Sequence, residues 1–200
     1  MKKGHFFMII GASGVGKTFV QKKLLNNNQK LKKLVSHTSR PKRDSEVNNE
    51  DYYFISKDEY LKMYKNNEFI MHYEYTPNNQ FYGTSKKEVL DNINSGNFII
   101  DETDEYSVYD MVENNLLDRE LFTSIYILPP TKDILFQRLS SNKDLDKSDI
   151  DKRLNDLDKR LNEFITHQKY FDYVVNSDNL DELHENINKI INQKIDELSI

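Results

Sequence analysis

The stretch Gly11-Ala12-Ser13-Gly14-Val15-Gly16-Lys17-Thr18 limits what this chain can fold into more than any other. Its spacing is that of the phosphate-binding loop, G-x-x-x-x-G-K-T. Glycines at these positions let backbone N–H groups curl around an anion without side-chain collision. A helix that follows such a loop points the positive end of its dipole at the same anion. The flanks agree with this. Phe6–Ile10 is an apolar run suited to a central parallel strand, and Phe19–Leu25 is amphipathic and helical. A chance glycine-rich turn would not need both. All eight residues, Gly11, Ala12, Ser13, Gly14, Val15, Gly16, Lys17 and Thr18, are therefore expected to hold the phosphates of a nucleoside triphosphate. Lys17 is placed to bridge the β- and γ-phosphates, and the Thr18 hydroxyl to ligate Mg2+.

With 200 residues the chain suits one α/β domain and can bury a sizeable core without staples. Its formal charge of −5 argues against a dedicated nucleic-acid binder but allows a local basic pocket. It has no cysteine, which excludes disulfides and thiolate chemistry. The opening Met-Lys-Lys-Gly-His and Phe6–Ile10 share the basic and apolar parts of a signal peptide. The apolar run is too short for one, and the glycine-rich loop follows it directly. No segment approaches membrane-spanning length. The expectation is a cytoplasmic enzyme, monomer or homodimer, that acts on small molecules and binds neither nucleic acid nor membrane.

Strands are expected at Phe6–Ile10, Leu34–Thr38, Tyr52–Ile55, Phe69–Tyr75, Phe81–Thr84, Phe98–Asp101, Ser124–Leu128 and Tyr173–Val175. Helices are expected from the capping-box serines Ser56 and Ser85, around Tyr106–Asn114, over Thr131–Leu139 and Ile150–Gln168, and over Leu180–Leu198. Strands alternate with helices at both ends, and the middle is strand-rich. The fold class is therefore α/β: a P-loop three-layer parallel sheet with an inserted mixed α/β subdomain and a small lid. One domain spans 1–200, with a core of about 1–35 and 97–200, an acceptor-binding insertion of about 36–96 and a polar lid of about 140–149.

The loop alone does not name the phosphoryl acceptor. A base-reading Asn-Lys-x-Asp of the GTPase kind is absent, and a small-molecule kinase needs a second anion site. Arg40 and Arg43, three residues apart, can converge on one phosphate. In isolation their segment also reads as a solvated basic loop. The run Ser36-His37-Thr38-Ser39-Arg40-Pro41-Lys42-Arg43-Asp44-Ser45-Glu46, followed by Asp51-Tyr52-Tyr53-Phe54, resembles the acceptor-binding segment of guanylate kinases. Further pieces fall in the same order: Asn67–Ile70, Phe81–Thr84, Ile99–Asp101, Leu128–Pro130, Arg138-Leu139 and Tyr173–Asn176.

The resemblance covers nearly the whole chain and implies an ATP-dependent nucleoside monophosphate kinase acting on GMP, with ATP as the triphosphate on Gly11–Thr18 and with Mg2+. It implies that Arg40, Arg43, Tyr52 and Tyr82 clamp the acceptor phosphate and that Ser36 and Thr84 meet the base. Glu46 would hold Arg43 and its neighbours, and Asp101 would be the strand-end acid near acceptor and metal. Arg138 and Arg153 would be lid-side arginines closing on the transferring phosphates, with Asn176 near the adenine of ATP. Tyr52 and Tyr82 also fit packed aromatics, Asp101 a helix cap, and Arg153 a solvated helix charge.

The chain departs from the family pattern at several points. Met71 stands where a guanine-reading glutamate is expected, and strand alternation puts Glu74 on the opposite face unless a bulge intervenes. The turn Thr76–Gln80 is long. Asp101-Glu102-Thr103 replaces Asp-x-Asp, and Ser140–Lys143 replaces an Arg-Gly segment. These departures leave two further readings: a kinase with altered base preference, and a guanylate-kinase-like binding module that transfers no phosphate.

Overall fold

The computed structural model describes residues 4–44, 46–75, 80–142 and 145–199, apart from the Tyr75 side chain. Met1–Lys3, positions 76–79 of the long turn, and Lys143 and Asp144 of the expected lid lie outside the described residues.

Nine strands and seven α-helices are described. The strands are β1 (His5–Ile10), β2 (Leu31–Lys33), β3 (Ser36–Thr38), β4 (Tyr52–Phe54), β5 (Phe69–Tyr75), β6 (Gln80–Ser85), β7 (Phe98–Thr103), β8 (Phe122–Leu128) and β9 (Tyr173–Asn176). The helices are α1 (Lys17–Asn27), α2 (Lys57–Lys65), α3 (Lys86–Asn94), α4 (Glu105–Glu113), α5 (Lys132–Ser140), α6 (Lys147–His167) and α7 (Leu180–Ser199). A five-stranded sheet runs in the order β2-β7-β1-β8-β9, with every neighbouring pair parallel. A four-stranded mixed sheet runs β4-β3-β6-β5. The α/β class expected from the sequence is the observed one.

The period of two along each central strand builds three layers. Phe7 and Ile9 of β1, Ile100 of β7, and Ile125 and Ile127 of β8 pack on one face with Leu24 of α1, Leu157 of α6 and Ile187 of α7. Phe6, Met8 and Ile10, Ile99, and Phe122 and Tyr126 pack on the other with Val89 of α3, Val108 of α4 and Phe164 of α6. Both faces are covered, so the strands read as unbroken apolar runs. Sheet alternation continues past the core and governs the site: Asp101 follows Ile99 on one face, and Glu102 follows Ile100 on the other.

Two local expectations are corrected. Leu34–Thr38 is not one strand. Leu31–Lys33 pairs with β7, while Ser36–Thr38 pairs with β4 and β6, so the chain changes sheets at Leu34 and Val35. Leu34 is buried, and its N–H still donates to Ile100 O, which ends the first ladder before the crossing. The cap at Ser85 also differs. Ser56 accepts from Glu59 N as a capping box requires, whereas Ser85 makes no side-chain cap bond. Its would-be partner Glu88 instead accepts from the Tyr53 hydroxyl at 3.1 Å.

Phe164 fastens α6 to the sheet. Its ring stacks on Tyr126 with centroids 4.2 Å apart, and Phe171 closes the cluster. Phe164→Ala is expected to destabilise the fold by about 3–5 kcal/mol, as for other large-to-small changes in packed aromatic cores. Urea denaturation of the variant and the parent chain measures this.

Candidate functional site

The loop between β1 and α1 presses closely on two helices, and this is where glycine is required. Gly14 and Gly16 have φ of 86° and 111°. A Cβ at Gly14 would meet Leu135 Cδ1 at 2.8 Å, and one at Gly16 would meet Leu180 Cδ2 at 2.6 Å. Gly16 is also the N-cap of α1, in the left-handed region. The Lys17 ammonium folds back over the loop and donates to Gly11 O at 2.6 Å and Ala12 O at 3.1 Å. Burial lowers its pKa, and the nearby Glu102 and Glu105 carboxylates oppose that shift.

The Thr18 hydroxyl lies against Glu102, 2.9 and 3.0 Å from its two carboxylate oxygens. Glu102 had figured in the sequence only as a break in Asp-x-Asp. The signal that would have found it is alternation along β7, which turns it to the α1 side, together with the pairing Ile9↔Glu102 beside the loop strand. An alcohol and a carboxylate are hard oxygen donors of the kind Mg2+ prefers.

Arg153 of α6 donates to Ser13 Oγ in the loop. Arg138 of α5 turns to backbone carbonyls: Ser177 O at 2.6 Å, Asp178 O at 3.1 Å and Val15 O at 3.4 Å. It thereby ties the phosphate loop to the turn after β9. Asn176, the last residue of β9, pairs with Leu128 and is exposed beside that turn.

The expected acceptor residues share one face of the mixed sheet. The pairings Ser36↔Tyr52, Thr38↔Tyr82, Met71↔Thr84 and Tyr73↔Tyr82 place Ser36, Tyr52, Met71, Tyr82 and Thr84 together. Ser36 Oγ lies 3.1 Å from Thr84 Oγ1 and donates to Asp101 Oδ2 at 2.8 Å. Two hydroxyls and one carboxylate thus meet where β7 of the main sheet reaches the second sheet. Burial raises the Asp101 pKa to about 7, against the hydrogen bond from Ser36, which lowers it.

Arg40 is nearly buried. Its guanidinium makes a two-pronged pair with Glu46 at 2.8 and 2.7 Å and lies 5.5 Å from the ring centroids of both Tyr52 and Phe54. Glu46 also accepts from the Arg43 backbone N–H at 2.8 Å. The Arg40 hydrogen bond holds the Glu46 carboxyl down at about 2. Tyr52 and Tyr82 meet edge to face at 5.9 Å.

Met71 is buried, and Glu74 does not take its place. The bulge in β5 falls between Phe69 and Met71, upstream of the segment in question, so positions 71 and 74 stay on opposite faces. Glu74 is exposed, and it bears on Tyr60 of α2.

The family profile "Guanylate kinase" matches residues 3–194. A guanylate kinase of Coxiella burnetii is 34% identical over 194 residues, spanning 96% of this chain and 88% of that protein. One from Anaplasma phagocytophilum is 32% identical over 189 residues, 94% and 86% of the two chains. The crystal structure of guanylate kinase from Anaplasma phagocytophilum aligns with a TM-score of 0.71 at 27% identity, covering 97% of this chain and 87% of that one. A shikimate kinase structure from Bacteroides thetaiotaomicron aligns at 0.53 with 13% identity, over 94% and 98% of the two chains; this is a likeness of fold alone.

Asp101 carries a pH prediction. Its pKa is about 7 when folded and near the ordinary aspartate value when unfolded. The folded state therefore holds the proton more tightly. The stability this confers is full below the unfolded pKa and falls as pH rises, until it is lost above about 7. Asp101→Asn removes the loss. Allowing for the weaker bonds an amide makes, it is expected to stabilise the ligand-free protein at pH 8 by on the order of 2 kcal/mol, with the gain vanishing toward pH 4. Thermal melts across that range measure it.

Proposed function

The chain belongs to the guanylate kinase family, and on that premise we propose that it transfers the γ-phosphoryl group of ATP to GMP, releasing ADP and GDP. The observation that carries this reading is the pairing of two anion seats at one end of the main sheet. One is the loop Gly11–Thr18, and the other is the face bearing Arg40, Tyr52, Tyr82, Ser36, Thr84 and Asp101.

In this reading the loop N–H groups and Lys17 hold the ATP phosphates, and Thr18, with Glu102 behind it, would hold Mg2+. When bound, Mg2+ supplies charge neutralisation on the β- and γ-phosphate oxygens. Lys17 exchanges its two loop carbonyls for phosphate oxygens and follows the charge as it moves. Arg153, at Ser13, stands over the loop to share that charge. Arg138 fixes the floor of the adenine side, where Asn176 lies.

On the acceptor side Arg40 is set in place by Glu46, Tyr52 and Phe54, so it meets the monophosphate without losing side-chain freedom. Arg43, Tyr52 and Tyr82 complete that clamp. Ser36, Thr84 and Asp101 face the base. Transfer is in-line and direct, with no covalent intermediate. The segment about 140–149 closes over the site as a lid, and the mixed sheet acts as the acceptor-binding insertion. No helix among the described residues is long and apolar enough to cross a membrane. The reading places the protein in the cytoplasm as a monomer or homodimer, with nucleotides as its partners and no nucleic acid.

A pure binding module has no use for a lysine on the loop carbonyls and a threonine on a carboxylate. The buried Met71 does favour a second feature, a looser grip on the base. A site that pairs every polar atom of a base edge rejects analogues by about 10^4. Here one donor-reading carboxylate is replaced by a thioether, and discrimination falls to Ser36, Thr84 and Asp101.

Two measurements test these statements. Wild-type protein is expected to release ADP with GMP. Lys17→Ala should cut kcat by about a hundredfold or more while circular dichroism stays unchanged. Absence of GDP from the wild-type reaction would overturn the assignment. Across GMP, dGMP, AMP, CMP and UMP, the preference for GMP over AMP is expected to be about ten- to a hundredfold. Strict GMP selection at the 10^4 level would show that Met71 costs nothing.

A further inference from the structure

We propose that Arg160 is a positioning residue for the phosphate loop: by holding both oxygens of the buried Glu105 carboxylate through one guanidinium nitrogen, it leaves Lys17 to the loop carbonyls and the phosphates. The proposal rests on the ATP-binding half of the function above.

Glu105 opens α4 and is 0% exposed. Arg160, on α6, donates through Nη1 to both of its carboxylate oxygens, at 2.9 and 3.0 Å. Its Nε donates to Asp156 on the same helix at 2.8 Å. The parallel pairing of β1 and β7 runs to Ile10↔Thr103, so the two chains leave the sheet from adjacent strands. Gly11 starts the phosphate loop on one of them, and Glu105 lies just past the end of the other. Arg160 and, more weakly, Lys17 are cations whose charge bears on the Glu105 carboxylate. Glu102, the neighbouring acid, is engaged with Thr18.

Burial denies Glu105 water as a partner, and an unpaired buried carboxylate is strongly unfavourable. If Arg160 is removed, Lys17 is the cation left to answer it. A lysine on a flexible stem can turn toward such a charge. In doing so it abandons Gly11 O and Ala12 O, the pose from which it reaches a nucleotide. Arg153 lies about two helical turns before Arg160 on α6 and contacts Ser13. One helix thus touches the loop directly at one point and disposes of the charge beside it at another.

The competing view is that the pair is a strut that only fastens α6 to α4. Titration calorimetry with ATP and Mg2+ on Arg160→Gln, Glu105→Gln and the double variant separates the two, with GMP affinity and melting curves recorded alongside. Arg160→Gln is expected to weaken ATP binding roughly tenfold and leave GMP binding unchanged. Glu105→Gln and the double variant are expected to bind ATP within about twofold of wild type, because no stranded carboxylate remains. Unchanged ATP binding in Arg160→Gln overturns the proposal. So does a double variant as weak as Arg160→Gln, which is what a strut predicts. If Arg160→Gln does not fold, the other two decide: both binding ATP normally supports the proposal, and both losing affinity overturns it. Wild-type GDP formation is assayed in parallel. Intact ATP binding without GDP would sink the kinase reading and leave this test standing.

Discussion

The register of β7 against β1 is the constraint on which the chemistry depends. Pairing Met8 with Asp101 and Ile9 with Glu102 puts two consecutive acids at the mouth of the phosphate loop. Alternation then sends them to opposite faces. Asp101 emerges toward the mixed sheet and takes the Ser36 hydroxyl, while Glu102 emerges toward α1 and takes Thr18. A slip of one residue would exchange them and leave neither seat with its carboxylate. A slip that drew Asp101 into the place of Ile100 is resisted because that place lies in a buried apolar cluster, where an unpaired carboxylate is costly.

A site that binds two polyanions needs concentrated positive charge, and such charge must be stabilised before any nucleotide arrives. The chain meets this need with short-range partners. Arg40 has Glu46 and two aromatic faces, Lys17 has loop carbonyls, and Arg138 has the carbonyls of Val15, Ser177 and Asp178. These partners hold the cations in fixed poses, so little ordering remains to be done on binding. They also differ in kind. Carbonyl partners can be traded for phosphate oxygens at small cost. The Arg40–Glu46 pair is two-pronged and desolvated, so it persists and orients the guanidinium.

Much of this was legible in the sequence. The loop, the α/β class and most element positions follow from spacing and alternation, which are local rules; the expected acceptor residues of the mixed sheet come instead from the resemblance to guanylate kinases. What local rules cannot see is where the chain leaves one sheet for another. Leu34–Thr38 looks like one strand because nothing in its composition marks the crossing at Val35. Glu102, Glu105 and Arg160 were missed for a related reason. Each is an ordinary charged residue in a chain rich in them, and its partner lies 84 or 55 residues away. Arg138 was recognised by its place in a pattern. Its partners are main-chain carbonyls, which no residue pattern encodes.

Met71 shows how packing and specificity constrain each other. It sits in the apolar cluster with Ile70, Leu34 and Ile10, opposite Thr84, whose hydroxyl is 3.5 Å from Asp101. A carboxylate at position 71 would place a second acid beside one whose pKa is already near 7 through burial. Like charges so close raise one another's pKa, so ionising both would require a cation or a base edge to be present. With methionine there, no such partner is needed, and the carboxyl beside Thr84 is that of Asp101. The methionine proposed to loosen base selection therefore also spares the site a repulsion between neighbouring acids, so one side chain sets both properties at this position.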